Sequence, residues 1–212
     1  MQPSTHPPVA SRLPRLPRRR AILVATAMAL SVAYASIATA QPAATPATQE
    51  EYVPDVGQDG KDVIWVPTPQ TLVDKMLDMA KVTPKDRLMD LGSGDGRTVI
   101  TAAQRGLTAQ GIEYNPDLVE LSRRNAQRAG VADRATFVAA DLFQTDLSKA
   151  DVITMFLLST INEKLRPTLL QLPPGTRVVS NTFRMGDWEP DAAETVTKDC
   201  STYCTALLWI VP

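Results

Sequence analysis

Residues 61–212 read as an α/β fold. The expected core is a seven-stranded, mostly parallel sheet with an antiparallel C-terminal strand and helices on both faces. Three observations carry this. Short apolar runs alternate with helix-like segments at close spacing, the pattern of parallel strands joined by crossovers. A glycine turn, Gly92-Ser93-Gly94-Asp95-Gly96, separates the first such run from a helix. Near the end, residues 194–198 and 206–211 are joined by a short loop, as in a hairpin.

The elements follow in order. Trp65-Val66-Pro67-Thr68-Pro69 punctuates the entry to the domain. Thr68 or Thr71 is placed to cap a helix with Val73, Met76, Leu77 and Ala80 on one face. Strand one is 87–91 and its helix 97–104. Strand two is 109–113. Asn115-Pro116-Asp117 then opens a helix carrying Leu118, Val119, Leu121 and Ala126, with Gly130 past its end. Strand three is 135–139. Strand four, 151–157, is apolar nearly throughout, as a strand buried on both faces should be. A helix over 162–172 ends at Pro173-Pro174-Gly175, and strand five is 177–181.

The first forty residues do not belong to that fold. Five arginines without an acid form a basic head, residues 21–37 are apolar and small, and Ala38-Thr39-Ala40 is an A-x-A cleavage site. This is the pattern of a secretory signal at 1–40, followed by a flexible linker at 41–60. The expected location is therefore exported and periplasmic. An uncleaved anchor and an organelle address are the alternatives. Arg19-Arg20 before Ala21-Ile22-Leu23 has the look of a twin-arginine signal, which exports folded proteins.

Charge and composition exclude several chemistries. The net charge of −1 becomes −6 once the five head arginines are removed. An acidic body argues against an electrostatic nucleic-acid binder. The one histidine is His6, in the head, so the domain has no imidazole for a triad or a metal. Cys200 and Cys204 are too few ligands for structural zinc. In an exported protein they form either a disulfide or two independent small side chains in a hairpin. No metal site is expected.

The chemistry-bearing residues fall at the carboxyl ends of successive strands. The glycine turn, preceded by Asp90, lets a ligand approach the backbone where a Cβ would collide. Its spacing is not the dinucleotide G-x-G-x-x-G: Arg97 stands at the third position and Gly96 comes one residue early. That favours a different adenosine-containing ligand over NAD. Glu113 ends strand two, where an acid accepts from both hydroxyls of a ribose. Asp141 ends strand three, where an acid accepts from an adenine amino group while Leu142 or Phe143 covers the ring.

Here the chain resembles the class I S-adenosylmethionine-dependent methyltransferases, over residues 66–212. Asp90 to Gly96 is similar to the family's first motif, Glu113 to its ribose-binding acid and Asp141 to its adenine-contacting acid. The terminal hairpin is similar to the family's antiparallel seventh strand. The resemblance implies a Rossmann-like fold and S-adenosyl-L-methionine as cofactor, held by Asp90, Gly92, Ser93, Gly94, Gly96, Glu113, Asp141 and Leu142. A narrower resemblance rests on Val66-Pro67-Thr68-Pro69, the Gly-Ser-Gly-Asp-Gly-Arg turn and Met185-Gly186-Asp187-Trp188. It is to a subfamily whose mitochondrial members methylate lysines on the c-ring protein of ATP synthase and on the adenine nucleotide translocase. That likeness implies a protein-lysine acceptor and places Thr68 over the cofactor. The compartment departs from it, because a cofactor made in the cytoplasm is not expected in a periplasm.

Acceptor-pocket candidates are Phe156, Ser159 and Asn162 after strand four, and Asn181, Asp187 and Trp188 after strand five. Phe156 has core packing as its alternative, and Trp188 a hairpin staple. Two other functions stay open at this point: a non-catalytic exported protein that binds an adenosine ligand, and an NAD-dependent oxidoreductase.

Overall fold

The computed structural model describes residues 52–212. The signal, residues 1–40, and the first part of the linker lie outside the described residues. The strands are β1 (Arg87–Leu91), β2 (Thr108–Glu113), β3 (Ala135–Ala139), β4 (Val152–Met155), β5 (Arg177–Asn181), β6 (Ala192–Thr195) and β7 (Thr205–Ile210). The α-helices are α1 (Gln70–Met79), α2 (Arg97–Gln104), α3 (Pro116–Arg128) and α4 (Ser159–Leu169). The sheet runs β3-β2-β1-β4-β5-β7-β6. The first five strands are parallel; β7 is antiparallel to both β5 and β6. The expected fold class is therefore the observed one.

Alternating side chains build two cores, one on each face of the sheet. Leu88, Val152, Val179, Ala206 and Leu208 pack with α1, α2 and α3. Their neighbours Met89, Ile153, Val178, Leu207 and Trp209 pack with α4. That period of two is what strands buried on both faces require. Trp209, fully buried, donates its indole N–H to the Trp188 carbonyl at 2.8 Å. A large side chain of this kind contributes about 3–5 kcal/mol against truncation to alanine.

Strand order reverses between β1 and β4. In open α/β sheets a crevice opens at that point, beyond the carboxyl ends of the strands. The local capping chemistry keeps this edge accessible. Asn115 caps α3 through Oδ1, which accepts from Asp117 N at 2.9 Å, with Pro116 pre-set for the first turn.

Several boundaries differ from expectation, β4 among them, which ends at Met155 rather than Leu157. The first helix is capped by neither threonine: Pro69 precedes it, and Thr71 donates to the Lys198 carbonyl. Helix α4 starts at Ser159 rather than Asn162, because the Asn162 side chain is spent on a buried tie to the Phe183 carbonyl. Strand β6 sits at Ala192–Thr195 rather than 194–198, leaving the residues that follow to form the cysteine-bridged loop.

Candidate active site

A cleft of about 470 Å³ lies at the carboxyl edge, over the glycine turn. Of the residues expected at a cofactor, Thr68, Asp90, Gly92, Ser93, Gly94, Glu113, Asp141 and Leu142 line it. Gly96 does not. Its missing Cβ would meet the Phe137 ring at 2.7 Å and Ser122 Cβ at 2.9 Å. It caps α2 at φ +84, a left-handed conformation that glycine adopts at no steric cost, so its role is to turn the chain into the helix.

The turn is held from β2. Glu113 Oε2 accepts from Gly94 N at 3.0 Å, and Oε1 accepts from Asn115 N at 2.9 Å. One carboxylate thus ties the glycine turn to the start of α3. With about four lone-pair sites, it keeps two for ligand hydroxyls. Gly94 has φ +55, and a Cβ there would stand 2.6 Å from Trp65 Nε1. The turn and the segment before α1 therefore pack in direct contact, with no room for a side chain between them.

In the sequence the resemblance brings Thr68 of that segment to the cofactor, but nothing there marks Trp65 or Lys61 as cleft residues. Its backbone folds on itself, Gly57 N donating to Trp65 O at 2.8 Å and Trp65 N to Gln58 O at 2.9 Å. Gln58, Asp59 and Gly60, within the span expected as linker, line the cleft with it. Lys61 donates to Asp141 Oδ2 at 2.6 Å and lies 4.6 Å from the Tyr114 ring centre. The hydrogen bond from Lys61 holds Asp141 below the ordinary carboxylate range. Asp141 Oδ1 also accepts from Phe143 N at 2.9 Å, capping the short 3-10 turn that presents Leu142.

A family model described as the ANTKMT methyltransferase domain matches residues 90–192. A protein-lysine N-methyltransferase of Saccharolobus islandicus (strain REY15A) is 45% identical over 131 residues, covering 60% of this chain and 81% of that protein. The chain belongs to the S-adenosylmethionine-dependent methyltransferases. The Mus musculus lysine N-methyltransferase that acts on the c-ring protein of ATP synthase is 35% identical over 155 residues, covering 73% of this chain and 58% of that protein. The mouse adenine nucleotide translocase lysine N-methyltransferase is 38% identical over 122 residues, covering 57% of this chain and 53% of that protein. A crystal structure of an RNA methyltransferase from Salinibacter ruber, in complex with S-adenosyl-L-homocysteine, superposes with a TM-score of 0.65. It is 50% identical and covers 69% of this chain and 94% of that one.

The cleft of this methyltransferase fits its cofactor on its own chemistry. It offers a side-chain-free turn and acids at the ends of β2 and β3. It also offers the Ser93 hydroxyl, buried without a hydrogen-bond partner among the described residues. Among those residues no cluster of His, Cys, Asp and Glu is placed to hold a metal. Asp90, at the end of β1, is buried opposite Thr154 of β4, whose hydroxyl donates to it at 2.6 Å. Burial pushes its carboxyl up to about 7, and repulsion from Glu113 and Asp95 adds to that against the bond from Thr154.

The other side of the cleft corrects the acceptor candidates. Phe156 lines it, but Ser159, Asn162, Asn181, Asp187 and Trp188 do not. Ser159 is the first residue of α4 instead. Asp187 pairs with Arg166 on the exposed surface. Trp188 packs on Trp209 at 6.1 Å between ring centres, the staple rather than a pocket wall. Asn162 is fully buried and donates to the carbonyls of Phe183 at 3.0 Å and Arg184 at 3.4 Å. Asn181 donates to Thr68 Oγ1 at 3.4 Å, tying β5 to the segment over the turn. Phe183 and Tyr203, which no sequence motif marks, line the cleft beside Phe156.

Phe183 is put there by backbone. Its N–H bonds to Asn181 O at 2.7 Å across Thr182, which has φ +62. A three-residue turn of that hand is strained for a β-branched residue and persists only where the surroundings over-determine it. Asn162 and the Ser180 hydroxyl, at 2.8 Å, both grip the Phe183 carbonyl and supply that constraint.

Proposed function

We propose that this methyltransferase modifies the side-chain amine of a protein lysine. The observation that carries the reading is the acceptor side of the cleft. Met155, Phe156, Leu157, Leu158, Ile161, Phe183 and Tyr203 form it, and none of them is a carboxylate or an imidazole. A lysine amine near its free pKa of about 10.4 must be neutral to attack. A carboxylate beside it would hold the ammonium form as an ion pair, and this wall supplies none. The similarity to lysine methyltransferases supports the same acceptor. The acidic body opposes an RNA acceptor, which would need phosphate neutralisation.

The bound cofactor supplies a methyl carbon already activated on a sulfonium sulfur, so neither a metal nor a covalent enzyme intermediate is needed. The chain's part is to bind, orient and exclude water. Glu113 is proposed to take the ribose hydroxyls with its free lone pairs. Asp141 is proposed to take the adenine amino group, with Leu142 over the ring. Gly92, Ser93 and Gly94 give close backbone approach, with Asp90 and Thr68 beside them in the cleft. Methyl transfer there would form the nitrogen–carbon bond as the carbon–sulfur bond breaks, its electron pair staying on sulfur. The amine arrives as the ammonium and gives its proton to water before it attacks.

Export to the periplasm is proposed on the basic head, the apolar run and the A-x-A site, and a bridge between Cys200 and Cys204 agrees with an oxidising compartment. The test of the acceptor is incubation of the full chain with methyl-labelled S-adenosylmethionine and a lysate of cells lacking the gene. Label is expected on lysine Nε atoms of a protein, located by mass spectrometry. Label removed by ribonuclease and absent from protein would overturn the lysine reading.

A further inference from the structure

The bridged loop between β6 and β7 lies outside the cofactor motif, yet it reaches the site. Cys200 and Cys204 are bonded, and the ring they close carries Tyr203. Tyr203 packs against Phe156 at 5.3 Å and Phe183 at 5.8 Å between ring centres. Phe156 and Phe183 themselves stack at 6.1 Å. Three rings from three separate chain regions thus make one wall. They come from the end of β4, the turn after β5 and the disulfide loop, and all three line the cleft.

Tyr203 is held in an unusual backbone state. It has φ +55, and Asp199 at the other side of the ring has φ +53. Left-handed conformations at non-glycine residues cost about 1–3 kcal/mol each and need an external constraint. The bridge is such a constraint. Val196 N donates to Cys204 O at 2.9 Å, closing the base of the loop, and Thr182 N donates to Thr205 O at 2.7 Å, tying the strained turn to the residue that follows the ring. The turn that presents Phe183 and the ring that presents Tyr203 therefore form one unit.

We infer that the Cys200–Cys204 ring holds Tyr203 as a positioning residue of an aromatic wall that receives the alkylammonium arm of the acceptor, so that acceptor recognition depends on the bridge. The inference rests on the protein-lysine reading and names how that acceptor is selected. Aromatic faces attract an ammonium group while the alkyl stem lies on apolar surface. They do so without the carboxylate that would keep the amine protonated. Reduction takes two electrons and two protons: a dithiol such as dithiothreitol opens the bridge to two thiols and leaves as its cyclic disulfide. The ring then relaxes, and Tyr203 leaves the wall. The cofactor side shares no residue with the ring and is unaffected.

The experiment uses the full chain saturated with S-adenosylhomocysteine. The probes are Nα-acetyl-lysine methylamide and its uncharged analogue Nα-acetyl-norleucine methylamide, followed by saturation-transfer NMR. The oxidised protein is expected to prefer the lysine probe by about threefold to fivefold, the size of a partly exposed cation–π contact. Tyr203→Ala, the double variant Cys200→Ser/Cys204→Ser, and dithiothreitol treatment should each erase the preference. Tyr203→Phe should retain it, and the S-adenosylhomocysteine titration should be the same in all. A preference that survives both Tyr203→Ala and reduction overturns the inference, as does no preference in the oxidised wild type. Failure of the lysine reading is separate: it shows as label on another acceptor in the lysate.

Discussion

The two sides of the cleft are built differently. The cofactor side comes from β1, β2 and β3 and their following turns, with the segment before α1 packed on them, and its acids bond backbone at the strand ends. Glu113 reaches Gly94 and Asn115, and Asp141 reaches Phe143. The acceptor side has no such motif. Phe156, Phe183 and Tyr203 meet only because β7 inserts between β5 and β6 and a disulfide closes the loop before it. On the proposed reading, recognition of a constant cofactor is written as a short motif, whereas recognition of a particular acceptor is written in long-range packing.

The comparison breaks most visibly at Gly94. Gly94→Val introduces a β-branched residue at φ +55 against Trp65, and calorimetry with S-adenosylhomocysteine is expected to show no binding. Thermal unfolding should remain cooperative. Measurable affinity within about tenfold of wild type, a loss of about 1.4 kcal/mol or less, would place the cofactor elsewhere.

Asp90 gives the next largest effect, and its sign is set by its carboxyl standing near 7, above the ordinary 3.8. Because the folded value is the higher, the protonated acid contributes stability that is present below pH about 4 and lost as pH rises through about 7. Asp90→Asn should remove that decline. Between pH about 5 and about 8.5 the ligand-free wild type should lose up to about 3 kcal/mol relative to the variant, read by denaturant melts. Parallel pH curves would contradict the assignment.

Two smaller changes separate the sides. Glu113→Ala frees the Gly94 and Asn115 N–H groups and should weaken cofactor binding by about tenfold to a hundredfold, since bonds to charged groups are worth about 1.5–3 kcal/mol. Asn162→Ala leaves the Phe183 carbonyl under-bonded and should destabilise by about 1–3 kcal/mol, with cofactor affinity unchanged in calorimetry. Smallest is Lys61→Met. Asp141 loses an exposed partner, and cofactor affinity should rise by less than about threefold, because exposed pairs contribute little.

The same division explains what is legible in the sequence. The glycine turn, Glu113 and Asp141 can be placed from strand ends alone, since each acts beside its own strand. Gly96 reads as a cofactor contact because its neighbours in sequence say nothing about Phe137 packing beneath it. Asn162 reads as a polar residue near the pocket, yet its amide holds backbone from 21 residues away. Phe183 leaves no signal because a left-handed threonine turns it into the cleft. Tyr203 is hidden in the hairpin loop, where the cysteine spacing alone leaves the bridge undecided.

As proposed, the molecule joins one adenosine site to an aromatic acceptor wall. A crystal structure of the protein with S-adenosylhomocysteine tests this most directly. The ribose should sit on Glu113 and the adenine between Asp141 and Leu142, with the sulfur facing Phe156, Phe183 and Tyr203. A ligand bound with Glu113 turned out of the cleft, or with its sulfur directed away from those three rings, would contradict it.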